Sequence, residues 1–154
     1  MVTLYNVTSS DGFIARIDGS EDFIPDDLKL WQKFIDLCLK YKILILGRKS
    51  YESIQGYDYT LKNSLELLPI KKIVVSRNKS FQLKDGYTLV NSIEEAIKQA
   101  PDALVSGGPN LNNYLLEHNF VKRIIQYKLP ISIGDGIKPF DKNSLEIENY
   151  DWSN

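Results

Sequence analysis

One segment of the chain joins an apolar run to a glycine, two basic residues and a hydroxyl. In Ile45–Ile54 the apolar residues lead into Gly47, Arg48, Lys49 and Ser50, and a helical pattern follows. At the start of a helix, free backbone N–H groups and the positive end of the helix dipole attract an anion. The segment therefore predicts a phosphate site. A pattern this short is common, so its value depends on what accompanies it.

Two further apolar runs end in residues that suit an anion. Ile73–Val75 is followed by Ser76 and Arg77, and Ala103–Val105 is followed by the turn Ser106–Asn110 with its double glycine. In an open α/β sheet, ligands bind outside the carboxyl ends of the strands. Three such strand ends in one short chain indicate a single extended phosphorylated ligand, and a dinucleotide fits best. The Rossmann pattern G-x-G-x-x-G is absent, which predicts a different scaffold.

A candidate acid stands at the start of an amphipathic helical pattern. Pro25 suits the first helical turn, and the spacing places Asp27 on the apolar face that carries Trp31 and Phe34. In one interpretation Asp26 and Asp27 simply favour a helix N-terminus. In the other, Asp27 is a carboxyl in a partly dry pocket, where desolvation raises its pKa and it donates a proton or anchors a ring nitrogen. Trp31 either packs in the core or lines a ring-binding pocket.

Strand-like runs alternate with helical patterns along the chain, which is typical of α/β architecture. Ser92 and Glu95 form a capping box that starts a helix, and Pro101 ends it. A further helix is expected from Asn110 to about Asn119. Residues 1–154 contain no repeat and no linker, so one domain is predicted. The predicted strands lie near Val2–Thr8, Ile43–Gly47, Lys72–Ser76, Tyr87–Val90, Ala103–Ser106, Val121–Leu129 and Leu145–Glu148.

The composition limits the classes of protein to which the chain can belong. The 154 residues, 43% of them hydrophobic, suffice for one domain with a core. A net charge of -1 argues against a nucleic-acid partner. Neither an apolar run of about 20 residues nor a signal-peptide pattern is present, so we expect no membrane association. One Cys and one His argue against a disulfide and against the usual zinc sites. These features predict a cytoplasmic protein with no metal site.

Six short motifs follow one another in a characteristic order. They are Asp11-Gly12-Phe13-Ile14, Pro25-Asp26-Asp27-Leu28, Gly47-Arg48-Lys49-Ser50, Val75-Ser76-Arg77, Ser106-Gly107-Gly108 and Ile133-Gly134-Asp135-Gly136. In order and spacing the chain resembles the dihydrofolate reductase superfamily over nearly its whole length. The opening Ser9–Ala15 and the turn Gly107–Leu111 are similar to the branch that contains the reductase domain of the bifunctional riboflavin-biosynthesis deaminase/reductase.

This resemblance implies an α/β/α sandwich of three layers around a central, mostly parallel mixed sheet, with NADPH laid across the strand ends. Ser76 and Arg77 would hold the adenosine side, including the 2′-phosphate. Asp27 would be the catalytic and substrate-binding carboxylate, with Trp31 beside the substrate. The implied cofactor-binding residues are Val7, Thr8, Asp11, Ile14, Gly47, Arg48, Lys49, Ser50, Ser76, Arg77, Gly107, Gly108, Pro109, Asn110 and Leu111.

The implied activity is hydride transfer from NADPH to a C=N or C=O bond of a pteridine-like or aminopyrimidine substrate, of which 5-amino-6-(5-phosphoribosylamino)uracil is the riboflavin-type example. A genuine dihydrofolate reductase is an alternative, but Lys71 or Lys72 stands where an arginine for the folate tail is expected, and lysine lacks the bidentate fork. A non-catalytic nucleotide-binding relative is the other alternative. The deaminase motifs H-x-E and P-C-x-x-C are absent.

The resemblance also implies one more strand after Asn149–Asn154, which would complete an antiparallel hairpin. The sequence stops at that turn. We therefore expect the sheet to lack its last C-terminal strand, which leaves an open edge and allows a homodimer.

Overall fold

In the computed structural model, which describes residues 1–153, seven strands form one sheet. The strands are β1 (Val2–Thr8), β2 (Ile43–Gly47), β3 (Lys71–Val75), β4 (Tyr87–Val90), β5 (Leu104–Val105), β6 (Val121–Lys128) and β7 (Ile147–Asp151). Their order across the sheet is β4-β3-β2-β5-β1-β6-β7, and every described pair of neighbouring strands is parallel. An antiparallel bridge between Ala15 and Ile137 lies outside these strands.

Helices cover both faces of the sheet. Because side chains alternate along a strand, Leu44 and Leu46 of β2 pack on one face with Phe34, while Ile45 packs on the other face with Leu115. The predicted three-layer α/β/α sandwich is therefore confirmed. None of the helices in residues 1–153 has the length and apolar character needed to cross a membrane. The helices are α1 (Leu28–Tyr41), α2 (Arg48–Gln55), α3 (Tyr59–Glu66), α4 (Ile93–Gln99) and α5 (Pro109–Glu117).

The predicted helix around α4 is confirmed at its start, where the Ser92 hydroxyl accepts a hydrogen bond from the Glu95 N–H at 3.1 Å. The start of α1 differs from the prediction. Pro25 was expected in its first turn, whereas α1 begins at Leu28. The side chain of Asp27 caps the helix there, so Pro25 lies in the preceding loop.

The last strand also differs from its predicted bounds. It was expected near Leu145–Glu148 but runs from Ile147 to Asp151. The side chain of Asn143 accepts from the Leu145 N–H at 2.8 Å and donates to the Leu145 carbonyl at 2.6 Å. These two bonds hold residues 143–145 in a turn, and the Leu145 side chain packs against the core. As β7 pairs only with β6, it forms an edge of the described sheet.

Candidate functional site

A cleft of about 530 Å³ opens at the carboxyl ends of three neighbouring strands. The residues that line it come from the end of β1, from the segments that follow β2 and β5, from the loop that leads into α1, and from the first two turns of α1. An open α/β sheet binds its ligands at this side, outside the carboxyl ends of its strands. Of the predicted site residues, Val7, Ile14, Asp27, Trp31, Ser50, Gly107 and Gly108 line the cleft.

Two helix N-termini meet at one end of the cleft. Gly47 is the N-cap of α2 and Gly108 is the N-cap of α5, and no side chain caps either helix. The Gly47 N–H donates to the Gly107 carbonyl at 2.7 Å, and the Gly107–Gly108 peptide bond is cis. The Ser50 hydroxyl lies against the same two glycines. The structure thus brings together two turns that the sequence predicts as anion sites, and their first-turn N–H groups have no side-chain acceptor.

The contact between these turns requires glycine at position 47. A Cβ atom there would lie 3.2 Å from the Gly107 oxygen and 3.3 Å from the Gly108 nitrogen, both of which are backbone atoms. We expect Gly47→Ala to lower the free energy of unfolding by about 1–3 kcal/mol, as overpacking does. Chemical denaturation would measure the change. Gly56→Ala is the matched control, since its Cβ would meet only the Ser53 oxygen at 3.4 Å. Equal losses in both variants would contradict this steric explanation.

The predicted basic residues lie on the surface outside the cleft lining. Arg48 forms an ion pair with Glu52 at 2.9 Å, and its guanidinium lies 4.9 Å from the centre of the Phe81 ring. Lys49 and Arg77 are exposed. Arg48 and Arg77 follow the neighbouring parallel strands β2 and β3. Both therefore lie on the side of the sheet where the strands have their carboxyl ends and where the cleft opens. Ser76 is buried, and its hydroxyl accepts from the Asn78 N–H at 3.2 Å.

Asp11, predicted to contact the cofactor, joins two loops instead of lining the cleft. Its carboxylate accepts from the Ser9 hydroxyl at 2.6 Å, the Ser132 hydroxyl at 2.8 Å and the Gly134 N–H at 2.8 Å. These bonds, led by that from Ser9, hold the pKa of Asp11 well below its usual range. Asp11 therefore positions the loop that follows β1.

Four other predicted cofactor residues also lie outside the cleft lining. Thr8 is completely buried, and the Leu111 side chain packs in the core beneath α5, so neither side chain faces the cleft. Pro109 and Asn110 form the first turn of α5. In this turn the backbone N–H groups of Asn110 and Leu111 are the ones placed to meet an anion, because proline has no backbone N–H group.

Asp27 both caps a helix and lines the cleft. As the N-cap of α1, its Oδ1 accepts from the Lys29 N–H at 2.8 Å and from the Leu30 N–H at 3.1 Å. The same residue lines the cleft. Both hydrogen bonds use Oδ1, and no N–H or O–H group of residues 1–153 donates to Oδ2. The cap therefore fixes the carboxylate at the cleft wall and leaves one oxygen for a ligand.

Trp31 both packs against the core and lines the cleft. It packs against Phe34, with ring centres 5.2 Å apart, and meets Tyr57 edge to face at 5.8 Å. Its indole N–H donates to the Ser64 hydroxyl at 2.7 Å. The ring is only partly buried and lines the cleft. Because its N–H is already bonded, Trp31 can offer a ligand its ring face or edge but not a free donor.

Glu21 is a cleft residue that sequence reasoning did not identify. It is partly buried, lines the cleft, and accepts from the Tyr57 hydroxyl at 3.3 Å. Burial raises the pKa of Glu21, while the hydrogen bond from Tyr57 opposes that rise. Glu21 belongs to an irregular loop before α1, where no periodic pattern shows which side chains turn inward. No local signal in the sequence could have identified it as a cleft residue.

The raised pKa has a consequence for stability. A carboxyl whose folded pKa lies above its unfolded pKa favours folding when protonated, and this contribution is lost as the pH rises through the folded value. We therefore expect Glu21→Gln, which stays neutral, to raise the melting temperature at pH 7–8 by on the order of 1–3 °C. The gain should disappear near pH 4. Thermal unfolding across this pH range would test it, with the exposed Glu146→Gln as the control; a gain independent of pH would contradict it.

The sequence and the structure were compared with known proteins. No family model and no curated protein matches the sequence. A protein named for riboflavin biosynthesis from Shewanella sp. PV-4 is structurally similar, with 19% identity, a TM-score of 0.68 and coverage of 94% of this chain and 85% of that one. Dihydrofolate reductase from Enterococcus faecalis, complexed with NADP(H) and RAB-propyl, has 19% identity, a TM-score of 0.66 and coverage of 94% and 79%. The chain therefore has the dihydrofolate-reductase-like fold.

Proposed function

We propose that this protein is an NADPH-dependent reductase that transfers a hydride to a C=N or C=O bond of a pteridine-like or aminopyrimidine substrate. One observation carries the proposal: a single cleft has two uncapped helix N-termini at one end and a fixed carboxylate with aromatic rings at the other. The first end suits a diphosphate and the second suits a flat heterocycle. The solved dihydrofolate reductase of the same fold is complexed with NADP(H).

The residues at the first end fit a dinucleotide. The N–H groups that open α2 and α5 would bind the pyrophosphate, with Ser50 as an additional donor. Arg48 and Arg77, at the ends of neighbouring strands, would reach the 2′-phosphate of the adenosine. Val7 and Ile14 would border the nicotinamide, which supplies the hydride when the cofactor is bound. Asp27 would hold the substrate ring and supply the proton that hydride transfer requires.

The structure also bears on the choice between substrates. Lys72, one of the two lysines that could have replaced an arginine for the folate tail, is 2% exposed. Its ammonium group donates to the carbonyls of Leu68 at 2.9 Å and Glu66 at 3.3 Å. It caps the end of α3 and is not free to grip a carboxylate. Lys71 is exposed, and its ammonium donates to the Gln99 side chain at 3.4 Å. This arrangement favours a substrate other than a glutamylated folate.

Titration with NADPH and NADH tests the cofactor proposal directly. The sequence contains two tryptophans, and Trp31 lines the cleft. In a Trp152→Phe variant, the remaining indole fluorescence would report on the cleft alone. We expect NADPH to change this fluorescence at a lower concentration than NADH, and calorimetry would detect binding that leaves fluorescence unchanged. If a folded protein bound neither nucleotide, the non-catalytic alternative would replace this proposal.

A further inference from the structure

The charged residues that line the cleft are all acidic. They are Glu21, Asp22, Asp26, Asp27 and Asp58, and no Lys, Arg or His is among the described lining residues. Only Asp22 has an ion pair within residues 1–153, with Arg16. The protein as a whole carries a net charge of -1, so this sign imbalance is local to the cleft. In a concave site, charges of one sign reinforce one another and favour a ligand of the opposite sign.

Several of the acids lie at the opposite end of α2 from the anion-binding turns. Ser50, in the first turn of α2, lies beside Gly107 and Gly108, whereas Asp58 follows its last turn. Glu21 accepts from Tyr57, which follows α2, and Trp31, one helical turn from Asp27, packs on the same Tyr57 ring. An eight-residue helix is about 12 Å long, which separates the two ends by roughly the length of a small ring system. The cleft therefore attracts negative charge at the N-terminal end of α2 and positive charge at the other. A phosphorylated cofactor would take the first end and leave only the acidic end to a substrate.

The walls of the acidic end are aromatic. Tyr5, Trp31, Phe34 and Tyr57 line the cleft, and Tyr5 stacks on Phe34 with ring centres 5.4 Å apart. Aromatic faces attract flat rings and cations alike. In residues 1–153 no three acidic, histidine or cysteine side chains are grouped so as to hold a metal ion. Dispersed carboxylates among aromatic rings thus suit an organic cation better than a metal.

We propose that the substrate of this cleft is a flat, basic heterocycle that binds as a cation or through several N–H donors, and that it carries no phosphate or carboxylate group. This inference rests on the proposed reductase function and narrows its substrate. Asp27 and Glu21 are the acceptors for ring N–H groups, and the exposed Asp26 repels an anion at the entrance. The phosphorylated aminopyrimidine of riboflavin synthesis is thereby disfavoured relative to its dephosphorylated form.

Two matched pairs of compounds test the inference by calorimetry, in the presence and absence of NADPH. The first pair is 5-amino-6-ribosylaminouracil and its 5′-phosphate, which differ only in the phosphate. The second is 2,4-diamino-6,7-dimethylpteridine, which is basic, and 6,7-dimethyllumazine, which has oxygen in place of both amino groups. We expect the uncharged riboside and the diamino compound each to bind at least about tenfold tighter than its partner. The advantage of the diamino compound should shrink as salt is added.

Charge reversal at the entrance provides the matched variants. Asp26→Lys should lower the ratio of the affinity for the riboside to the affinity for its 5′-phosphate by about threefold to tenfold. Asp85→Lys makes the same charge change at an exposed residue outside the cleft lining and should leave the preference unchanged. An equal change in both variants would mean that only the net charge of the protein matters, and would overturn the role given to the cleft.

The outcomes separate this inference from the proposed function. If NADPH binds and the 5′-phosphate binds as tightly as the riboside, or more tightly, the inference fails and the reductase proposal stands. If NADPH does not bind but the basic pteridine is still preferred, the reductase proposal fails and the charge selectivity of the cleft stands. If none of the four compounds binds with or without NADPH, the inference is overturned.

Discussion

Replacing Arg77 with alanine is expected to weaken NADPH binding by about 10- to 100-fold while changing NADH binding less than about threefold. Arg77 lies two residues beyond the end of β3, is exposed, and has no ion pair among residues 1–153. A guanidinium that is not already paired can bind a phosphate through two N–H groups. The 2′-phosphate is the group that NADPH has and NADH lacks, so the loss should be confined to NADPH.

The effect of Arg77→Ala can be compared with those of Arg48→Ala and Lys79→Ala. Because the Arg48 guanidinium is already paired with Glu52, we expect Arg48→Ala to have a smaller effect than Arg77→Ala. Lys79 is exposed two residues beyond Arg77, and Lys79→Ala controls for the loss of one nearby positive charge. Dissociation constants for both nucleotides, measured by calorimetry at fixed salt, give the ratio directly. An equal loss for NADPH and NADH in Arg77→Ala would rule out the 2′-phosphate role.

The parts of the molecule that the sequence predicts well are those whose signals are local. β1, β2 and β4 were predicted with their observed bounds, because short apolar runs with clear ends need no distant information. The capping box of α4 lies within four residues, and its geometry follows from residue types. The glycine turns before α2 and α5 were identified for the same reason, since each joins the end of a strand to the start of a helix.

Properties that depend on contacts between distant segments were not predictable. No pattern in the sequence shows that Gly47 touches Gly107, or that the carboxylate of Asp11 spans to residues 132–134. The burial of Lys72 is a similar case, because its acceptors are carbonyls at the end of α3 and not side chains. Glu21 faces the cleft only because the loop before α1 folds over it. Such loops have no periodicity that would show which side chains point inward.

Replacing Asp27 with asparagine is expected to lower turnover by about 10²- to 10⁴-fold and to leave the affinity for NADPH nearly unchanged. Asparagine is as good an N-cap as aspartate, so its side-chain oxygen can still accept from the N–H groups of Lys29 and Leu30. The start of α1 and the wall of the cleft should therefore persist. What the variant lacks is the negative charge and the proton-transfer capacity of the carboxyl.

The contrast with Asp27→Ala separates the cap from the chemistry. Alanine removes both the N-cap acceptor and the carboxyl group. It should therefore also lower the free energy of unfolding by about 1 kcal/mol, whereas asparagine should lower it much less. NADPH oxidation with the basic pteridine and the uncharged riboside, together with denaturation of each variant, would measure the two effects. Because Glu21 also lines the cleft, turnover that survives in Asp27→Asn but falls in Glu21→Gln would transfer the proton-donating role to Glu21. Turnover unchanged in both variants would mean that neither carboxyl takes part in the reaction.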